Sequence, residues 1–471
     1  MVKSHIRKKA GFIAFLASIL LVHAPVFART FTFDLVESSL ELASGLTTRV
    51  WTYGGTVPGV AIRVNQGDTV VVDGYNRLPV TTNIHWHGLV VPNDQDGPTI
   101  AIKPGERFRF QFVAGESGTY WYHSHLRPVL EQMDMGLYGA FIVTAPEDAA
   151  YSIDETYILD DWLLDARGRR LQGTDRGGME RLGNIETVNG KTGTAIQPLT
   201  LKNGQLAKLR FINASTAAVH TLKVSGHSFR VTHLDGHALS EPFMTDTVRL
   251  GPGERIDAEL SATGKAGNVY AISSDRPDYG MVIPIRYASG SVPAVESSFK
   301  PPKSRAFTGI DARAPDYVLE LNSTMNMDGG MMHSNGSGGM MDGSMMHSGG
   351  SSGMRGDSMM NMMRWTINGK SWPDTAPLRV KVGTVVKVRF VNKDTMMHSM
   401  DHPMHLHGTY FQVLSENGRK PARETWKDTV NVPAGESVDI AFRYSNPGDW
   451  MLHCHIIDHE DNGLMTMIQA Y

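Results

Sequence analysis

Residues 380–392 read VKVGTVVKVRFVN. After Gly383 the apolar residues alternate with polar ones, the period of a strand that buries one face. The same window occurs twice upstream, as VNQGDTVVVDGYN at 64–76 and LKNGQLAKLRFIN at 201–213. In each copy a glycine stands nine residues before an asparagine: Gly67 and Asn76, Gly204 and Asn213, Gly383 and Asn392. Each is followed by a turn, Pro104-Gly105-Glu106, Pro252-Gly253-Glu254 and Ala434-Gly435-Glu436, and then by a second strand entered at Gly118, Gly267 and Gly448. The chain is one β unit written three times, and each copy is long enough to be a domain. Short strands broken by glycine and proline turns predict an all-β protein of three two-sheet Greek-key sandwiches.

The predicted division is 29–147, 148–300 and 301–471. Ahead of it, Lys3, Arg7, Lys8 and Lys9 precede an apolar run at 11–22, and Val26-Phe27-Ala28 offers a cleavage site. Residues 1–28 therefore read as a signal peptide, the mature chain is expected to begin near Arg29, and its destination is outside the cytoplasm. The apolar run is shorter than the ~20 residues a membrane span needs, so no span is expected after the signal is removed. A net charge of −3 over 471 residues gives no reason to expect nucleic acid as a partner. The protein has one cysteine, Cys454. It can make no disulfide within the chain, so it is free or bound to metal.

The copies differ in their histidines. The first has His85-Trp86-His87 and His123-Ser124-His125; the third has His405-Leu406-His407 and His453-Cys454-His455. The middle copy has Ala271-Ile272-Ser273 where the later pair is expected and a lone His220 near the earlier one, so it reads as scaffold without ligands. Its His220, His227, His233 and His237 read as packing or surface residues. With 19 histidines in 471 residues, chance gives roughly 0.8 His-x-His pairs. Four, at matching points of two copies, need another explanation. In a strand, His-x-His puts both rings on one face. Eight imidazoles meeting at the seam of the first and third units suit three coppers, held by three, three and two nitrogens. Cys454 points to the opposite face. His402, three residues before His405, does so too, and with His459 the three make a His₂Cys copper site of the blue type.

These motifs, HWHG, HSH, HPMHLHG and HCHIIDH, resemble those of the three-domain multicopper oxidases, the laccase-like and copper-tolerance enzymes, over essentially the whole mature chain. The resemblance implies cupredoxin-like domains and four copper ions. It assigns His402, Cys454 and His459 to type 1 copper, and His85 and His405 to type 2. It assigns His87, His123, His125, His407, His453 and His455 to the type 3 pair. It implies four one-electron oxidations at type 1, a path through Cys454, and reduction of O₂ to water at the cluster, with Asp96 and Glu460 supplying protons. The copper-tolerance enzymes place an axial methionine ten residues after the cysteine. Here that residue is Leu464, with Met465 one step later, as in plant and fungal laccases.

Two features bear on the substrate. Residues 325–363 hold thirteen of the 26 methionines in a Gly, Ser, His and Asp background, and thioether sulfur favours Cu(I). Met397, Met400 and Asp401 lie immediately before His402. Both resemble the periplasmic cuprous oxidases of bacteria, and a Cu(I) substrate site at Met397, Met400 and Asp401 is expected, fed by the insertion. A general phenol oxidase of laccase type is the alternative, and a periplasmic protein that buffers copper without turnover is the rival of another class. A monomer is expected.

Overall fold

The computed structural model describes residues 28–171, 181–311, 313–325, 363–394 and 400–471. The expected signal peptide up to residue 27, nearly all of the methionine-rich insertion, and Met397 lie outside the described residues. The architecture is all-β, in three units of paired sheets. The middle unit has a six-stranded and a five-stranded sheet, and the last unit repeats both, strand for strand and in the same order. The first unit is a reduced version. Ala28–Thr32, Thr69–Tyr75 and Arg107–Val113 face a four-stranded sheet of Ile62–Asn65, Tyr138–Thr144, Gly118–His123 and His85–His87, and the hairpin Leu35–Ala43/Leu46–Tyr53 is added.

The repeated glycine and asparagine have one structural job each. Gly67, Gly204 and Gly383 sit at φ of +87°, +94° and +82°, a turn conformation glycine adopts without strain. Each turn gives its N–H to the strand that returns beside it, at Ala114, Ala262 and Tyr444. The asparagines tie the two sheets together. Asn392 Nδ2 donates to Met400 O and Val432 O at 2.8 and 3.0 Å, Asn213 does the same to Ala218 O and Leu250 O at 2.8 and 3.0 Å, and Asn76 to Val80 O and Ile102 O at 2.8 Å each. Each is buried, so losing the side chain would orphan two carbonyls.

Alternation decides which face is core. Arg107–Val113 buries Phe108, Phe110 and Phe112 and exposes the residues between. Leu206–Asn213 departs from this pattern, because both of its faces are covered. Its Lys208 and Arg210 are paired with Asp148, Asp154 and Asp257, as buried charge requires.

Candidate metal centre

The histidine strands are neighbours in both outer units. His85–His87 runs antiparallel to Gly118–His123 with His85 opposite His123, and His402–Leu406 runs antiparallel to Gly448–Cys454 with His405 opposite His453. Period two then presents all four pairs to the seam between the units. The eight rings assemble as three, three and two. His87, His123 and His455 bring ligand nitrogens within 4.8 Å of one another, and so do His125, His407 and His453. The remaining two, His85 and His405, have ring centres 5.7 Å apart and, with His87, also bring ligand nitrogens within 4.8 Å of one another. Both three-nitrogen groups mix residues of the first and third units, so neither unit alone completes one.

Their protonation is fixed by what lies behind the rings. Asp96 accepts from His85 Nδ1 at 2.6 Å and from His407 Nδ1 at 3.0 Å. Glu460 faces His453 Nδ1 at 3.2 Å and His125 Nδ1 at 3.5 Å. Backbone carbonyls take His123 Nδ1, at Ser124 O, and His405 Nδ1, at Asp428 O. His453 Nδ1 also has Cys454 O at 3.0 Å, and wherever Nδ1 donates in this way, as in His85, His123, His405, His407 and His453, Nε2 presents a lone pair. His453 Nε2 stands 3.0 Å from His407 Nε2 and 3.1 Å from His125 Nε2. Lone pairs converging at that distance call for a cation. The Nε2 atoms of His85, His123, His405 and His455 are buried without any protein partner among the described residues. Burial also holds the imidazoles of His85, His87, His125, His407 and His455 well below their ordinary range and takes His123 down to about 3. They are neutral at working pH, the form that binds metal.

On the other face, Cys454 Sγ is 3.7 Å from His402 Nδ1 and 3.7 Å from His459 Nδ1, and the two nitrogens are 3.3 Å apart. The centre of that triangle is about 2 Å from each corner, the length of a metal–imidazole bond. Burial lowers His402 to about 3 and holds His459 well below its ordinary range. His453 and His455, either side of Cys454, belong to different three-nitrogen groups, so the sulfur is joined by backbone to both. Leu464 lies in the third unit's core cluster with Cys454, and its carbonyl accepts the Cys454 N–H at 3.0 Å. Met465 opens the next strand opposite His453. Met400 is buried in that same core, 6% exposed, whereas Asp401 is half-buried and held by Asn431 and Arg249.

The middle unit needs a different alignment from the one its sequence suggests. Leu222 pairs with Ser274 as Met404 pairs with Cys454. Ser273 and Asp275, not Ala271 and Ser273, thus stand where the third unit has its later histidines, and His220 stands at the position of His402. None of His220, His227, His233 and His237 joins a metal-binding group among the described residues.

That unit still shapes the nest. Gly253 has φ of +84°, and a Cβ there would lie 2.9 Å from the His455 ring and 3.1 Å from His87. The fully buried Arg255 spends all five of its N–H donors. They go to Asp428 Oδ1 and Oδ2 at 2.7 and 2.6 Å and to the carbonyls of Thr119, Gly253 and Asp235. Asp428 Oδ1 in turn lies 3.1 Å from His87 Nε2. Burial pushes the Asp428 carboxyl up, but Arg255 and His87 outweigh it and hold the group well below the carboxylate range. Sequence reasoning missed both residues. An arginine follows the Pro-Gly-Glu turn in the first copy as well, at Arg107, where it is exposed and pairs with Asp73.

Known proteins are similar to this chain over nearly its whole length. Models of the multicopper oxidase family match residues 35–148, 154–285 and 351–471. The multicopper oxidase MmcO of Mycobacterium tuberculosis is 30% identical, over 94% of this chain and 88% of that protein. The chain is a multicopper oxidase. Laccase-2 of Botryotinia fuckeliana is 27% identical over 91% of this chain and 80% of its own. A solved multicopper oxidase from Campylobacter jejuni, described as a metallo-oxidase, superposes with a TM-score of 0.72 at 27% identity, covering 94% of this chain and 91% of that one. The oxidase thus has the three cupredoxin-like domains of its family, and its cofactors are four coppers, one type 1, one type 2 and two type 3. Its reaction class is oxidation of a reductant by O₂.

Proposed function

We propose that this oxidase takes electrons from cuprous ion at a type 1 copper held by His402, Cys454 and His459, and passes them through Cys454 to the histidine nest. There His85 and His405 hold type 2 copper, and His87, His123 and His455 with His125, His407 and His453 hold the type 3 pair. Bound copper would supply the one-electron redox chemistry; the side chains fix where it would sit and where protons arrive. Asp96 and Glu460 each touch the Nδ1 atoms of two ligand histidines, which suits them to hold and hand on protons at the nest. Removal of residues 1–28 and export to the periplasm belong to the same reading.

The observation that carries the cuprous reading is where the insertion is rooted. The strands Tyr317–Met325 and Met363–Ile367 pair with Met325 opposite Met363, so residues 326–362 leave and return at one point. Two residues beyond, Trp365 stacks on the His459 ring at 3.7 Å and lies 5.3 Å from His402. The strands that flank the methionine-rich segment therefore end two residues from a side chain that packs on a type 1 ligand, and Asp401, next to His402, offers an oxygen ligand at the surface. Met397 would complete that site with the insertion. Deleting residues 325–363 is expected to lower kcat/KM for Cu(I) while phenol oxidation stays the same or rises as access opens. Unchanged kinetics for both would remove the segment from the reaction.

The phenol-oxidase reading is favoured by one observation, the burial of Leu464 in the same core cluster as Cys454: a leucine as axial residue would leave that ligand missing, which raises the potential. Leu464→Met is expected to lower the type 1 potential in a redox titration and to change its EPR spectrum. A potential that does not fall means Leu464 is not the axial residue. Steady-state kinetics with Cu(I) against a phenol, on copper-loaded protein, separates the two substrates, and O₂ uptake with a copper count separates either from a buffering protein.

A further inference from the structure

The fold builds the type 1 pocket in the first domain as well. In the third domain five features define it. Asn392 holds the carbonyl two residues before His402, and His402 pairs across to Val432. Cys454 follows His453 at the end of its strand, and His459 lies in the short helix Ile457–Asp461. Leu464, after the positive-φ Gly463, accepts the Cys454 N–H. The first domain repeats all five. Asn76 holds the carbonyl two residues before Thr82, and Thr82 pairs across to Ile102. Ser124 follows His123 at the end of its strand, and Gln132 lies in the short helix Val129–Asp134. Leu137, after the positive-φ Gly136, accepts the Ser124 N–H at 3.1 Å.

One three-residue insertion accounts for the spacing. Gln132 is eight residues after Ser124 where His459 is five after Cys454, and Leu137 is thirteen after where Leu464 is ten. The three side chains meet as the copper ligands do. Thr82 Oγ1 lies 3.1 Å from Ser124 Oγ, and both hydroxyls donate to Gln132 Oε1 at 2.6 Å. All three residues are buried, none more than 4% exposed.

The middle domain has a third version, with His220, Ser274 and Glu186 in contact and Met281 O accepting the Ser274 N–H. There the neighbours of Ser274 are Ser273 and Asp275, which hold no metal group. The neighbours of Ser124 are His123 and His125. Of the two closed pockets, only the first domain's is joined by backbone to the nest.

We propose that Thr82, Ser124 and Gln132 are a second electron-accepting site held shut. The triad fills the three ligand positions with hydroxyls and an amide, which keeps copper out of the first domain and leaves His123 and His125 as ligands only. This rests on the assignment of His402, Cys454 and His459 to type 1 copper, and the test keeps the two apart. Cys454→Ser alone is expected to lose the visible thiolate-to-copper band. If it stays blue, the assignment in the third domain fails, whatever the first domain does. In that colourless background, Thr82→His, Ser124→Cys and Gln132→His together are expected to restore an intense visible band and to raise the copper count by one per chain, the new thiol giving its proton to solvent as copper binds. A folded variant, by circular dichroism, with no band and no added copper overturns the proposal. If the combined variant does not fold, Gln132→His alone decides. Its imidazole must meet the Thr82 and Ser124 hydroxyls, so a melting temperature within about 5 °C of wild type supports the correspondence, and loss of the fold overturns it.

Discussion

Replacing Cys454 by serine is expected to cut turnover on the order of a thousandfold or more, about 4 kcal/mol in barrier, while the histidine nest keeps its three coppers. A thiolate binds copper because it is soft and loses its proton readily. A serine hydroxyl does neither at working pH, so the type 1 position keeps two imidazoles and loses its copper. Nothing in the nest depends on the sulfur. The Nδ1 atoms of His407 and His85 are held by Asp96 and that of His453 by the backbone carbonyl of residue 454, which serine keeps, and the His455 N–H bonds to Pro403 O. The count should fall from four coppers to three, the visible band should vanish, and the EPR signal of type 2 copper should persist. O₂ uptake then measures what the path through residue 454 contributes. Turnover within tenfold of wild type would mean that electrons reach the nest another way.

The sequence carried more of this site than of its surroundings, for a physical reason. A ligand set is a local pattern: period two in a strand determines which way His453, Cys454 and His455 point, and the repeat shows which strands lie side by side. The Gly–Asn signature was equally readable, because Gly67, Gly204 and Gly383 each meet the same backbone demand, as do Asn76, Asn213 and Asn392. Less visible was whatever depends on distance in the chain. The middle copy's strand is offset by two residues from its apparent alignment, Ser274 rather than Ile272 matching Cys454, and with no histidines there the pattern had nothing to anchor it. Met400 was visible only as a neighbour of His402; its burial, and the bond from Asn392 to its carbonyl, come from the fold. Thr82 and Gln132 gave no chemical signal at all; their place emerges only when the hydrogen bonds of two domains are compared.

Arg255→Leu is expected to cost about 3–5 kcal/mol, the usual result of leaving one half of a buried ion pair, and to weaken copper binding in the nest. Five acceptors lose their donor at once, and the Asp428 carboxylate, with no exposed surface, loses its bidentate partner. Burial pushes the Asp428 carboxyl up, and without that guanidinium the main opposing interaction is gone, so protonation is expected. Once protonated, it turns a donor toward His87 and Thr429, where it now accepts. The backbone carbonyl that orients His405 belongs to the same residue, so two coppers feel the change although a middle-domain residue was altered. Lysine should rescue only in part: it restores charge, but its three donors cannot reproduce a planar bidentate fork. Arg255→Leu combined with Asp428→Leu separates charge from shape. If the damage is the stranded carboxylate, the double variant loses less stability in denaturant unfolding than the two single losses added together. Strict additivity would mean that Arg255 supports the fold only through its three carbonyl contacts. In that case the middle domain would be a spacer, and copper content would follow overall stability alone.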